Sequence, residues 1–258
     1  KVQARKWIIL FLKTMSLKKN SNTAVIGLGG MGLRHVDAYV RIGIRISAVA
    51  DIKKEARDSF SRKYPDVRVY EKWEELLQKE KLGVVSIVTN GPSHAEIVVA
   101  AAQKKISIIV CEKPMATNLA DARRVIEARE KNGSRLFINF ILREFPAFKK
   151  LKTLLDSGII GHIVHMHTVI DGKRGLGCMG THYADLMRFF TNSNADSVWG
   201  KIDGTGTINP RGPQFKDPGG YGVYCFKNGA RGVLDMSEDF NTQPLMRIVG
   251  ENGYADID

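Results

Sequence analysis

The stretch Thr23-Ala24-Val25-Ile26-Gly27-Leu28-Gly29-Gly30-Met31-Gly32 decides how this chain folds. It opens with a short apolar run that carries no charge, as expected of a parallel strand buried on both faces. The run breaks into Gly27, Gly29 and Gly32, a G-x-G-x-x-G spacing, and residues 33–40 then read as a helix ending near Gly43. At such a strand-to-helix junction the glycines permit a tight turn and let a pyrophosphate approach the backbone of a helix N-terminus. Leu28, Gly30 and Met31 complete the loop that would face it. Asp51 lies at the end of the next strand, 19 residues after Gly32. That is close to the spacing of about 20 expected for a carboxylate that holds an adenosine ribose diol. A carboxylate repels a 2′-phosphate and so favours NAD, while Lys53 and Lys54 directly after it leave NADP open.

Working outward, strands and helices alternate. Helices are predicted at 53–63, 73–79, 94–104 (with Ser93 as its cap) and 118–132. Strands are predicted at 67–70, 83–89, 106–111 and 136–140. This alternation signals a doubly wound parallel sheet, a Rossmann-type α/β domain over 21–142. Beyond about Arg143 the texture changes, and 17 of the 25 glycines fall in 151–258. Helices at 146–156 and 181–191 and strands at 162–170, 196–203, 221–227, 231–237 and 245–249 predict a second domain over 143–258. It is expected to be an α+β domain with an open, mostly antiparallel sheet and hairpin-like turns such as Asn228-Gly229.

The 258 residues carry a net charge of +12 and three cysteines, Cys111, Cys178 and Cys225. Three cysteines make no disulfide scaffold, which points to a reducing, cytoplasmic setting. No apolar run approaches the roughly 18 residues that span a bilayer. Half of the net charge comes from residues 1–20, which hold six Lys and Arg and no acid. This basic extension could pack on the body or touch an anionic surface. No basic stripe or recognition motif follows it, so no nucleic-acid partner and no stable membrane insertion are expected.

Two further motifs carry chemistry. Cys111-Glu112-Lys113-Pro114 directly follows an apolar strand, at the end where parallel sheets place ligands. A lysine there can act on a bound ligand, and the Lys113–Pro114 bond is a candidate cis peptide. In Gly180-Thr181-His182-Tyr183-Ala184-Asp185, His182 and Asp185 share one helix face.

Taken together, Gly27–Gly32, Thr89-Asn90 with His94, Glu112-Lys113-Pro114 and Thr181-His182-Tyr183-Ala184-Asp185 resemble the glucose–fructose oxidoreductase/inositol dehydrogenase/MocA family, from about residue 23 to the end. The resemblance implies hydride transfer between a nicotinamide and a hydroxyl-bearing carbon of a sugar, sugar nucleotide or cyclitol. It implies that Lys113 and His182 are catalytic, with Lys113 binding the reacting hydroxyl and His182 the acid/base. It implies that Thr89, Asn90, His94 and Glu112 lie beside the cofactor, with Glu112 supporting the lysine, and that Arg143 and Asp185 contact substrate. It also implies a homodimer or homotetramer formed through the second domain's sheet.

Two departures stand out. Many members carry Asp or Asn four residues before the histidine, where this chain has Cys178, a poorer acceptor that is placed with the substrate residues. A Cys178–His182 metal pair lacks further ligands, so no metal is expected. Members also commonly continue past residue 258, so a truncated second domain is expected. Two alternatives stay open: a non-catalytic regulator of the same fold that senses NAD or a sugar, and an NAD-dependent glycoside hydrolase.

Overall fold

The computed structural model describes residues 21–204, 216–239 and 242–257. The basic extension 1–20 lies outside them. Two compact units divide between Glu144 and Phe145.

In the first unit six parallel strands form one sheet in the order β3-β2-β1-β4-β5-β6. They are β1 (Thr23–Ile26), β2 (Ile46–Ala50), β3 (Arg68–Tyr70), β4 (Val84–Ile87), β5 (Ile108–Glu112) and β6 (Arg135–Asn139). The connecting helices are α1 (Gly30–Arg41), α2 (Lys54–Lys63), α3 (Trp73–Lys79), α4 (Gly91–Gln103) and α5 (Leu119–Asn132). Strand residues alternate between two cores. Val25, Val49, Val84 and Val110 pack with Val36 and Tyr39 of α1 and Phe60 of α2. Ala24, Ile26, Val85, Ile87 and Ile109 pack with Leu76, Ile97 and Val125 of α3, α4 and α5. Covering both faces is why these strands read as unbroken apolar runs. The chain reverses strand order between β1 and β4, the switch point at which a doubly wound sheet opens a crevice.

One predicted boundary is corrected. The fourth helix begins at Gly91, not at 94, with Asn90 in the extended cap position and Pro92 in the first turn. Proline fits there because the first-turn N–H groups lack helical partners in any case. Ser93 is therefore inside the helix, and its hydroxyl donates to Thr89 Oγ1 at 2.8 Å.

The second unit holds a six-stranded sheet in the order β12-β11-β7-β10-β9-β8. Its strands are β7 (Ile163–Val169), β8 (Ala195–Ile202), β9 (Gly220–Phe226), β10 (Arg231–Met236), β11 (Leu245–Gly250) and β12 (Gly253–Ile257). All neighbours are antiparallel except the β7–β10 pair. Helices α6 (Pro146–Asp156) and α7 (Thr181–Thr191) accompany it, and α7 buries Leu186, Met187 and Phe190. Gly232 allows α7 to come close, since a Cβ there would stand 2.7 Å from Met187 Sδ. Strand β8 is exposed along its whole length.

Candidate functional site

In the first unit, the ends of β1, β2 and β4 open a cleft of about 390 Å³ lined by Gly27, Leu28, Gly29, Asp51, Thr89 and Asn90 among others. The three motif glycines differ in what requires them. Gly27 has φ +97°, and a Cβ there would meet the Val88 carbonyl oxygen at 2.6 Å. A Cβ on Gly32 would fall 1.9 Å from the Gly27 carbonyl oxygen. These two are demanded by the fold itself. Around Gly29 there is nothing within 4 Å, and its φ of −64° is ordinary for any residue. No protein atom explains that glycine, whereas a phosphate brought against the backbone would.

Helix α1 begins beside it with no side-chain cap and no acid in its first turn. Its unpartnered N–H groups and positive dipole end suit an anion. Asp51 stands at the tip of β2 and accepts hydrogen bonds from the Leu28 N–H at 2.6 Å and the Lys53 N–H at 2.8 Å. The carboxylate is thus held at the rim of the cleft in an orientation set by two backbone donors. The residues present fit a dinucleotide whose phosphates meet the glycine loop and whose ribose meets Asp51.

Glu112 and Lys113 close β5, both 8% exposed, and the Lys113–Pro114 peptide is cis. Glu112, expected beside the cofactor in support of the lysine, turns its side chain into the core. Its Oε1 accepts from Asn139 Nδ2 at 2.6 Å and from His35 Nε2 at 3.0 Å. The other His35 nitrogen lies 3.2 Å from Ser86 Oγ, which in turn lies 2.8 Å from the Tyr39 hydroxyl. Burial acts to raise the Glu112 pKa, but the hydrogen bonds and charge of His35, with Asn139 and Lys113, hold it below the usual carboxylate value. Burial pushes the Tyr39 phenol and the Cys111 thiol up.

His94 is also buried, with Nδ1 2.6 Å from the Pro114 carbonyl oxygen and Nε2 3.0 Å from that of Thr89. Its ring ties the loop after β4 to the loop after β5 and shapes the cleft wall without lining it. Arg143 sits in the 3₁₀ turn Ile141–Glu144 just after β6.

Sequence reasoning did not pick out His35, Tyr39, Ser86 or Asn139. A signal was available. Strand alternation places Ser86, Glu112 and Asn139 on the same sheet face as α1, each interrupting an otherwise apolar row. His35 and Tyr39 are four apart on the buried side of α1.

In the second unit, His182 and Asp185 are both 5% exposed on α7. The helix is entered through a π-type turn, Leu176–Gly180. Asp217 clamps this turn: its two carboxylate oxygens accept from the Gly177 and Cys178 N–H groups, each at 2.7 Å. A carboxylate from a distant part of the chain therefore meets the backbone at Cys178. Burial raises the Tyr183 phenol, partly offset by Arg174. Among the described residues no group of three His, Cys, Asp or Glu could hold a metal ion.

A parallel sheet in this order, with a glycine loop open to an anion and an acid at the tip of β2, defines a dinucleotide-binding Rossmann domain. Comparison with known proteins is more specific. Residues 21–140 match the model of an oxidoreductase family with an NAD-binding Rossmann fold, and residues 148–256 match the GFO/IDH/MocA C-terminal domain. The chain belongs to the Gfo/Idh/MocA oxidoreductase family.

An uncharacterized oxidoreductase of Bacillus subtilis, YrbE, is 28% identical over 258 aligned residues, 94% of this chain and 75% of that protein. An inositol 2-dehydrogenase of Serratia proteamaculans is 33% identical, over 92% of this chain and 73% of its own length. Several other curated relatives, inositol 2-dehydrogenases among them, are matched over only about half their length. Among solved structures, the WlbA dehydrogenase of Bordetella pertussis, in complex with NADH and UDP-GlcNAcA, has the same fold. Its TM-score is 0.81 at 19% identity, covering 92% of this chain and 77% of that one.

Proposed function

We propose that this chain is an NAD-linked dehydrogenase or reductase that acts on a hydroxyl-bearing carbon of a cyclitol, sugar or sugar nucleotide. The observation that carries this reading is the cleft in which Gly29 is left open and Asp51 is fixed at the rim. Asp51 favours NAD over NADP. The relatives named inositol 2-dehydrogenase support a polyol substrate.

Bound NAD supplies the acceptor for the hydride, and the chain's own side chains handle the proton. Lys113, at the end of β5, binds the reacting hydroxyl and stabilises the charge that develops on its oxygen. His182, at the start of α7, accepts the proton. Arg143, Cys178 and Asp185 are assigned to substrate, and Thr89 and Asn90 to the cofactor. The exposed strand β8, with Trp199, is assigned to a second copy of the chain, and the setting is cytoplasmic.

The test is NADH formation at 340 nm with inositols, hexoses and UDP-sugars. Lys113→Met is expected to abolish turnover while NADH still binds. Undiminished turnover in that variant would remove Lys113 from the mechanism. A second reading, a non-catalytic sensor, is favoured by Cys178 at the position of the family's acid. Tight NADH binding with no turnover on any polyol would select it.

A further inference from the structure

The buried chain Tyr39–Ser86–His35–Glu112–Asn139 crosses four elements and ends next to Lys113. A fully buried histidine and a nearly buried carboxylate sit in the middle of a Rossmann domain, where apolar residues would pack at lower cost. Their placement is specific. His35 lies on α1, whose first turn borders the open glycine loop, and Glu112 is the residue before Lys113. One hydrogen bond of 3.0 Å therefore joins the phosphate-facing helix to the peptide that carries the lysine.

The direction of the bonds follows from the carboxylate, which only accepts. His35 Nε2–H donates to Glu112. Nδ1 faces the Ser86 hydroxyl at 3.2 Å, and that oxygen shares a 2.8 Å hydrogen bond with the Tyr39 hydroxyl. Asn139 Nδ2 donates to the same Glu112 oxygen and fixes it from the β6 side. Glu112 has little freedom to move unless His35 moves with it.

We propose that His35 is a positioning residue that couples occupation of the glycine loop to the placement of Lys113. This rests on the dinucleotide reading above and deepens it, because the lysine is brought into register by the helix that receives the phosphates. Coupling of this kind is reciprocal, so a change at either end is felt at the other.

ADP-ribose tests this directly, since it fills the glycine loop and brings no nicotinamide. Its binding is measured by calorimetry. In parallel, acylation of Lys113 by acetic anhydride is followed by peptide mass spectrometry, with and without ADP-ribose. In the unmodified chain, ADP-ribose is expected to change the Lys113 labelling rate by at least about threefold, a modest coupling. His35→Asn is too short to reach Glu112 but can still meet Ser86, and it is expected to bind ADP-ribose while losing the change in rate. His35→Gln reaches Glu112 with an amide N–H and is expected to restore it.

Hydrogen exchange in the unmodified chain gives a measurement that needs no variant. ADP-ribose should slow exchange at residues 28–34 and also at 112–116. Protection confined to 28–34, or an equal labelling response in His35→Asn, would overturn the coupling and leave the dinucleotide reading standing. Absence of ADP-ribose binding would overturn both.

Discussion

Gly29 and Gly32 are three residues apart and belong to one motif, yet they answer to different forces. Gly32→Ala would drive a Cβ into the Gly27 carbonyl and is expected to cost about 1–3 kcal/mol of stability, the usual range for overpacking. Gly29→Ala meets no protein atom. It is expected to leave the melting temperature unchanged and to weaken NADH binding about tenfold, or 1.4 kcal/mol. Thermal melts and fluorescence titration of the two variants separate fold from ligand. Glu112 makes the second prediction at this scale. Its pKa lies below the ordinary carboxylate value when folded. Its contribution to stability is therefore full above that ordinary value and disappears as pH falls through the folded one. Urea melts from pH 7 to pH 3 should show a steep acid limb for the unmodified chain and a flatter one for Glu112→Gln.

At the scale of elements, α7 shows how a catalytic candidate can be held by something distant in sequence. Asp217 satisfies two backbone donors of the turn that precedes His182. Asp217→Ala is expected to cost about 1.5–3 kcal/mol, as for hydrogen bonds to a charged group. It should lower kcat more than it raises KM. The same comparison shows what was legible in the sequence. Helices 146–156 and 181–191 were read to the residue because their apolar spacing is regular and their ends carry turn signals. The glycine loop and Asp51 stood out because their spacing follows a dinucleotide-binding strand–loop–helix pattern, and Lys113 because it directly follows an apolar strand. The Asp217 clamp was not, because it joins residues about 40 apart through backbone N–H groups that every residue has. Nor was the inward turn of Glu112, which depends on a partner 77 residues away on another element.

For the whole molecule, the second sheet presents Trp199 at 68% exposure and Ile202 at 65%, on an edge strand that no helix among the described residues buries. Exposed apolar surface at a long sheet edge is a hazard unless a partner covers it. Under the proposed assembly, Trp199→Lys is expected to shift the protein to a smaller species in light scattering while NADH affinity stays within about twofold, since the glycine loop belongs to the other unit. No shift in mass would remove this strand from the interface. A further prediction concerns β7 in the same sheet. Burial, together with the charges of His167 and Arg231, lowers the His165 pKa. Stability attributable to His165 is thus present above its ordinary value near 6.5 and falls as pH drops through the folded one. Melts at pH 7.5 and pH 5 should differ less for His165→Gln than for the unmodified chain.

Helix α1 begins without a cap of its own. Helices α2, α3, α4, α6 and α7 also make no side-chain cap hydrogen bond, but α1 starts at the open glycine loop, where a solute can complete it. The dinucleotide then belongs to the energetics of folding as well as to the reaction. At a hundred times its dissociation constant it would add about 2.7 kcal/mol to the folded state, more than a side-chain cap supplies. As the dinucleotide falls from that excess, this contribution shrinks with the logarithm of its concentration while the site is still nearly full, so the melting temperature responds before the occupancy does.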